Sequence, residues 1–131
     1  MGLIHLGWRG AAAGIHRKAI NLLKTHYGSR PQDILVGIGP GICTRCFVSE
    51  KRPQQSDNPR WQPFITKKDN QWQVDIRGFV IEELQNAGIQ SHHLEIMNVC
   101  TFENKNFFSH QRSKMTGEAE GRFASVIGIR N

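Results

Sequence analysis

The feature that most constrains the fold is a short apolar run at residues 34–38, which leads directly into a glycine–proline–glycine turn. Four of its five residues are aliphatic and the run is rich in β-branched side chains, which is typical of a strand buried on both faces. Upstream, apolar residues recur at the spacing of one helix face over residues 11–27, and Gly28 is suited to end that helix. The sequence therefore predicts an early helix followed by a buried strand.

The rest of the chain adds short strands and one more helix. Apolar runs or alternating patterns predict further strands at residues 2–6, 72–76, 94–99 and 123–129, and a second helix at residues 78–87. Residues 49–70 are polar and broken by prolines, so we expect a surface excursion within a single domain that spans residues 1–131. Two helices among five strands predict an α+β fold, a layered mixed β-sheet with flanking helices.

Composition and charge limit the classes of function. Hydrophobic residues make up 38% of the 131, enough for a core, yet no apolar run approaches the roughly 20 residues of a membrane span. Lys and Arg outnumber Asp and Glu by 17 to 11, but the basic residues are scattered, so specific nucleic-acid binding is not favoured. The first residues lack the pattern of a signal peptide and the cysteine count of three is odd, so we expect reduced thiols and a cytoplasmic location.

A histidine before a glycine-rich turn is the first candidate for chemistry. His5 precedes the segment Gly7-Trp8-Arg9-Gly10, where the glycines would let a ligand approach the backbone closely. Arg9 could bind a phosphate or carboxylate through two parallel hydrogen bonds. A structural histidine and a surface arginine are the alternative interpretation, and the spacing alone leaves both open.

The cysteines and a late arginine form further candidates. Cys43 and Cys46 are separated by two residues, but a closed zinc site needs four ligands, so Cys100 and the histidines would have to complete it. Two ordinary thiols near a turn are the alternative. Arg45 would lower the pKa of a neighbouring thiol if the side chains faced each other. Farther along, Arg112 is a candidate anion contact, with a solvated arginine as the alternative.

Four segments, in order along nearly the whole chain, resemble one known family. They are His5-Leu6-Gly7-Trp8-Arg9-Gly10 and residues 38–47, 74–77 and 100–117. They resemble the H-A-G-W-R-G, G-P-x-I-x-x-x-C-[YF] and L-D-L-R elements and the C-T…F-F-S-[YH]-R-R-D-x-x-T-G-R ending of the YfiH-like family, the laccase-domain or multicopper polyphenol oxidases. Cys43 stands where that family usually has glycine, and Arg45 stands where a cysteine is common.

The resemblance implies a metal-dependent purine nucleoside enzyme that catalyses phosphorolysis or deamination of adenosine and inosine. Copper-dependent phenol oxidation is the older description of the family. The implied metal is zinc, with copper as an alternative, bound by an upstream histidine, an upstream cysteine and the histidine of H-A-G-W-R-G. Only the last of these ligands maps onto this chain, as His5. By the same resemblance Arg9 and Arg112 would contact the anion or substrate, and Cys46 would line the pocket.

The resemblance also implies that this chain is the C-terminal portion of a CNF1/YfiH-like fold, N-terminally truncated. Its expected partners are a purine nucleoside, phosphate and a complementing N-terminal half. A second hypothesis is a non-catalytic remnant that binds a protein partner or another copy of itself through exposed sheet edges and apolar surface. A third is a basic module that binds RNA or another polyanion.

Overall fold

A computed structural model describes residues 1–129. Its α-helices are α1 (Trp8–Ala12), α2 (Ile15–Tyr27), α3 (Ile76–Asn86) and α4 (His110–Thr116). Its strands are β1 (Val36–Ile38), β2 (Val48–Ser49), β3 (Ile65–Lys68), β4 (Gln71–Val74) and β5 (Leu94–Ile96). Short 3-10 helices connect them at Pro31–Asp33, Gln54–Asp57, Pro59–Phe64 and Ser91–His93. None of the helices within residues 1–129 has the length and apolar character needed to cross a membrane.

The strands form one parallel and one antiparallel sheet. β1 pairs in parallel with β5, with Val36 opposite Leu94 and Ile38 opposite Ile96. The other sheet has the order β2–β4–β3 and is antiparallel throughout. The α+β class predicted from the sequence is confirmed, and the parallel and antiparallel pairings are divided between two sheets rather than combined in one.

The hydrophobic core gathers around α3, which contributes Phe79, Val80 and Leu84. Trp61 is only 1% exposed, and its ring stacks on that of Phe79 with centroids 3.6 Å apart. Trp61 belongs to residues 49–70, for which we expected a surface excursion. Most of this stretch is exposed, but it also supplies β3 to the antiparallel sheet and places Trp61 in the core, where the ring removes a large apolar area from water.

An aspartate cap sets the start of α3. The Asp75 carboxylate accepts a hydrogen bond from the Gly78 backbone N–H at 2.9 Å, which satisfies one of the unpaired donors of the first turn. The helix therefore begins at Ile76, before the predicted start at residue 78. The earlier start places Arg77 in the first turn, where its guanidinium donates to Asn98 Oδ1 at 3.2 Å, just beyond β5.

A buried carboxylate ties α3 to α2 and to the Pro59–Phe64 helix. Glu83 is buried and forms ion pairs with Arg60 and with Arg17, whose Nε lies 3.3 Å from Glu83 Oε2. These pairs compensate the cost of taking the carboxylate out of water. His16 is buried beside them, and its burial lowers the pKa of the imidazole more than the nearby carboxylate raises it. The His16 ring is therefore neutral at pH 7.

Several predicted elements differ from the structure. The helix predicted over residues 11–27 is two helices, because Gly14 takes the left-handed conformation, with φ 68°, between α1 and α2. Residues 2–6 and 123–129 have no strand partner within the described chain, and Val126 is 92% exposed. The strands predicted there are wrong for this structure, because an alternating apolar pattern makes a strand only where a neighbouring backbone accepts its hydrogen bonds.

Replacing Trp61 with Ala should lower the free energy of unfolding by about 3–5 kcal/mol, because it removes the ring stacked on Phe79 and leaves a cavity. Urea unfolding followed by circular dichroism measures the loss. Trp72→Ala is the matched control, since Trp72 is only half-buried on β4 and should cost clearly less. Equal losses for the two variants would contradict the assignment of Trp61 as the anchor of its segment.

Candidate functional site

The ends of the two parallel strands bring distant parts of the chain together. Beyond β1 and β5 the pairing continues as an isolated bridge between Gly41 and Cys100. The Gly41 N–H donates to the Val99 carbonyl at 3.3 Å, and the Thr101 N–H donates to the Gly41 carbonyl at 3.1 Å. The loops that follow both strands therefore leave from the same edge of the sheet, the place where ligands commonly bind in parallel sheets.

Four potential ligands converge at this edge, and we call them the cysteine cluster: Cys43, Cys46, Cys100 and Glu103. One side-chain ligand atom from each lies within 4.8 Å of every other. A tight turn sets the first pair, because the N–H groups of Cys46 and Phe47 both donate to the Cys43 carbonyl, at 3.1 and 3.0 Å. The sequence left open whether Cys100 and a histidine join the cysteine pair or whether the thiols are ordinary. In the structure Cys100 lies beside the pair, and the fourth group is a glutamate and not a histidine.

Hydrogen bonds inside the cluster order its side chains. The Cys43 backbone N–H donates to the Cys100 sulfur at 3.3 Å. The Cys46 thiol lies 3.4 Å from Glu103 Oε1 and the Cys43 thiol lies 3.9 Å from the same oxygen. All three cysteines are free, without a disulfide among them. The sulfurs and the carboxylate therefore share one small volume, with one carboxylate oxygen turned toward the thiols.

Arg45 faces the carboxylate of the cluster rather than a thiol. Its Nε and Nη2 donate to the two oxygens of Glu103 at 2.7 and 3.0 Å, a bidentate ion pair. These hydrogen bonds lower the pKa of Glu103, and in return they raise the pKa of the Arg45 guanidinium. Glu103 is therefore ionised at neutral pH and oriented by Arg45.

The cysteines of the cluster differ in acidity. Burial alone would raise the pKa of the Cys100 thiol, but hydrogen bonds from the backbone and side chain of Cys43 outweigh burial and lower it. Burial raises the pKa of Cys46, and its hydrogen bonds with Cys43 and Glu103 raise it further. The cluster therefore contains one thiol whose pKa is lowered and one whose pKa is raised.

A second arginine borders the cluster. Arg77, Asn98 and Thr44 complete the lining of an open cleft of about 370 Å³ over Cys43 and Cys100, which Cys46 does not line. Arg77 is held in place because its Nη2 also donates to the Val99 carbonyl at 3.4 Å. Two guanidinium groups, from Arg45 and Arg77, therefore border a site that carries negative charge whenever its thiols ionise.

His5 and Arg9 are both exposed. The His5 ring packs against Gly7, where an added Cβ would lie 3.4 Å from His5 Nε2. The Arg9 guanidinium carbon lies 5.0 Å from the centroid of the Trp8 ring. Neither residue lines the cleft over the cysteines, and His5 is not among the grouped ligand atoms in the described part of the chain. His5 and Cys46 are therefore not grouped around a common candidate metal position in the described part of the chain.

Arg112 has a structural role in the loop that precedes α4. Its side chain is buried and donates to the carbonyls of Thr101, Phe102 and Phe107 at 2.6, 3.0 and 2.8 Å, and it also pairs with Glu118. These contacts occupy the face of the guanidinium fork that a substrate anion would need. We therefore correct the sequence-based hypothesis of an anion contact and assign Arg112 to holding this loop.

Glu103 was not among the residues singled out by the sequence. The sequence feature that could have identified Glu103 is its spacing from Cys100. The two are separated by two residues, as are Cys43 and Cys46. A turn of this length returns the second side chain to the side of the first, and the Asn104 N–H closes it by donating to the Cys100 carbonyl at 2.9 Å. Two turns of equal spacing, joined by the Gly41–Cys100 bridge, thus build the cluster.

Comparison with known proteins gives consistent matches over this chain. A family model described as multi-copper polyphenol oxidoreductase laccase matches residues 1–130. The purine nucleoside phosphorylase YlmD of Geobacillus stearothermophilus is 33% identical over 136 residues, covering 99% of this chain and 48% of that protein. The purine nucleoside phosphorylase YfiH of Escherichia coli is 30% identical over 130 residues, covering 95% of this chain and 49% of that protein.

The fold also matches a solved structure. The crystal structure of YlmD from Geobacillus stearothermophilus superposes with a TM-score of 0.74 at 31% identity, over 84% of this chain and 43% of that chain. The chain thus spans about half the length of the curated relatives that it matches.

Arg112→Lys should lower the free energy of unfolding by about 1.5–3 kcal/mol, because an ammonium cannot reproduce the forked hydrogen bonds to three carbonyls. Urea denaturation measures the change. Arg122→Lys is the control, because Arg122 is exposed and its replacement should cost no more than about 0.5 kcal/mol. Losses of the same size for both variants would contradict the structural role of Arg112.

In metal-free protein, iodoacetamide should alkylate Cys100 at lower pH than Cys46. The thiolate is the nucleophile, so the thiol with the lowered pKa reacts first as pH rises, and the thiol with the raised pKa reacts last. Peptide mass spectrometry after brief labelling at a series of pH values measures the order. Earlier labelling of Cys46 would contradict the hydrogen-bond arrangement described above.

Proposed function

The chain belongs to the multi-copper polyphenol oxidoreductase laccase family, as its four motif segments predict, and from this we propose that it forms part of a purine nucleoside phosphorylase. Relatives at about 30% identity carry that name. The observation that supports the proposal in the structure is the exposure of His5 and Arg9 on one short segment, residues 5–10, which we call the His5 segment. Both side chains are accessible to a substrate and to neighbouring protein.

The family implies a metal at His5, and we tested whether the described residues would hold one there. A catalytic zinc needs about three protein ligands and an open position. No other cysteine, histidine or carboxylate of residues 1–129 is grouped with His5 around a common centre. The residues present therefore do not form a complete metal site at His5, and we derive no step of the reaction through a metal.

The His5 segment can nevertheless bind reactants. In phosphorolysis the bond from the ribose C1′ to the purine nitrogen breaks, a bond from C1′ to a phosphate oxygen forms, and the purine leaves with a proton. The phosphate must be held against the nucleoside for this exchange. Arg9 is suited to that task, because its planar guanidinium matches two phosphate oxygens and is held at the Trp8 ring. We propose that Arg9 contacts the phosphate. We propose that His5 is one ligand of a metal site whose other ligands come from a complementing part of the protein.

Exposed apolar surface near His5 supports the proposal that a further part of the protein completes the active enzyme. Leu3 and Ile4 beside His5 are 56% and 42% exposed. The two-stranded parallel sheet packs one face on the core, but its other face is exposed at Gly37 and Glu95, whereas parallel sheets are normally covered on both faces. Residues 2–6, for which the sequence predicts a short buried strand, have no strand partner in the described chain. We propose that a complementing N-terminal half, corresponding to the unmatched part of the relatives, covers this surface and supplies the other ligands.

Phosphorolysis is the reaction we favour over deamination and phenol oxidation. The relatives' names support it, and an exposed arginine beside the expected ligand suits a reaction that consumes phosphate. We place the protein in the cytoplasm, where three free cysteines remain reduced.

The test joins this chain to the unmatched N-terminal part of YlmD from Geobacillus stearothermophilus and measures phosphate-dependent release of hypoxanthine from inosine with added zinc. His5→Ala should lower the rate at least about 100-fold, because it removes a proposed ligand. Arg9→Ala should lower it about 100-fold, with a rise in the phosphate concentration needed for half-maximal rate. The chain alone is assayed beside the fusion.

His26→Ala is the matched control, because His26 is an exposed histidine on α2, outside the His5 segment. It should leave the rate unchanged. A rate indifferent to His5→Ala would refute the ligand role, and a folded fusion that releases base equally well without phosphate would refute phosphorolysis.

A further inference from the structure

We propose that Cys43, Cys46, Cys100 and Glu103 bind one zinc ion in a closed, structural site that is independent of His5. The proposal does not depend on the proposed function, because none of the four residues belongs to the His5 segment. Nor do the family motifs quoted above supply the whole set: Cys46 and Cys100 match motif cysteines, whereas Cys43 replaces a usual glycine and Glu103 falls at no motif position. The site is therefore a property of this chain.

The spacing of the ligand atoms fits a tetrahedral zinc ion. Zinc–sulfur bonds of about 2.3 Å and zinc–oxygen bonds of about 2.0–2.2 Å place neighbouring ligand atoms roughly 3.5–3.8 Å apart. Glu103 Oε1 lies 3.4 Å from the Cys46 sulfur and 3.9 Å from the Cys43 sulfur, values on either side of that spacing. All four ligand atoms lie within 4.8 Å of one another, so shifts of less than an ångström would complete the coordination.

The backbone prepares the site before any metal binds. The turn at Cys43 and the Gly41–Cys100 bridge fix two of the three sulfurs relative to each other. The Cys43 N–H donates to the Cys100 sulfur, an interaction that stabilises the thiolate form that zinc requires. Glu103 is already ionised and oriented by Arg45.

Charge balance also supports zinc. Three thiolates and one carboxylate carry four negative charges, a divalent ion cancels two, and the guanidinium groups of Arg45 and Arg77 at the cleft balance the rest. Glu103 Oε1 can bind the ion and still accept the Arg45 hydrogen bond, because a carboxylate oxygen has two lone pairs. On binding, the three thiols release their protons to solvent, so zinc affinity rises with pH.

The donor set selects the metal. Three sulfurs exclude magnesium and calcium, which prefer oxygen ligands throughout. The carboxylate favours zinc over monovalent copper, which prefers sulfur. Because the chain itself would fill all four positions, none is left open for water, and the ion would act in stability and not in catalysis. It would hold the turn after β1 to the turn after β5.

The experiment uses the full chain, purified in reductant and free of metal, and titrates it with zinc and with cobalt as a spectroscopic substitute. One ion per chain should bind, and cobalt should give sulfur-to-metal charge-transfer bands together with the visible spectrum of a tetrahedral site. Cys43→Ser should weaken zinc binding at least about 100-fold, and Glu103→Gln at least about tenfold. His26→Ala is the control and should leave affinity and spectrum unchanged, because His26 is an exposed histidine on α2 outside both sites.

Thiol titration of the wild-type chain decides the outcome if Cys43→Ser does not fold. Zinc should protect all three thiols from a disulfide reagent, whereas a site at His5 would leave them reactive. The proposal is overturned if zinc does not bind, or if binding is lost in His5→Ala and kept in Cys43→Ser. It is also overturned if Cys43 and Cys46 are found to form a disulfide with each other in the presence of reductant.

Discussion

The parallel pairing of β1 with β5 is the interaction on which the cysteine cluster depends. It joins parts of the chain that are far apart in sequence, and its continuation at Gly41 and Cys100 sets two turns side by side. Cys43 and Cys100 are 57 positions apart, yet the backbone N–H of one reaches the sulfur of the other. Loss of this pairing would separate the two halves of the cysteine cluster, since no single segment contains all four ligands.

The core supports this pairing from α3. The stacked rings of Trp61 and Phe79 and the ion pairs of Glu83 fix the helix against its neighbours. Arg77, in the first turn of the same helix, donates to Asn98 and to the Val99 carbonyl just beyond β5. These hydrogen bonds attach the packed helix α3 to the edge of the sheet where the cysteines lie.

The sequence predicts local elements better than it predicts contacts between them. β1, β5 and α3 follow from runs and periodicities that are visible within ten residues, and the cap at Asp75 explains the earlier start of α3. The strand predicted at residues 123–129 fails, because pairing depends on a neighbour that the pattern cannot reveal. Trp61 likewise lies in a polar, proline-broken segment, and only the three-dimensional structure shows that its ring reaches the core.

The same limit applies to the functional residues. Cys46 and Cys100 could be suspected from composition, but Glu103 becomes a ligand only through a turn that the tertiary fold places beside them. Arg112 lies within a family motif, and its hydrogen bonds to three backbone carbonyls, which no sequence pattern reveals, make it structural. Family membership follows from the motifs, whereas the cysteine cluster follows from geometry.

The central claim is that the paired ends of β1 and β5 form a sulfur-rich zinc site within this chain. X-ray absorption at the zinc edge, recorded on the full chain loaded with one equivalent of zinc, tests it most directly. The expected first shell contains three sulfurs at about 2.3 Å and one oxygen at about 2.0–2.2 Å. A shell of nitrogen and oxygen with one sulfur or none would contradict the claim.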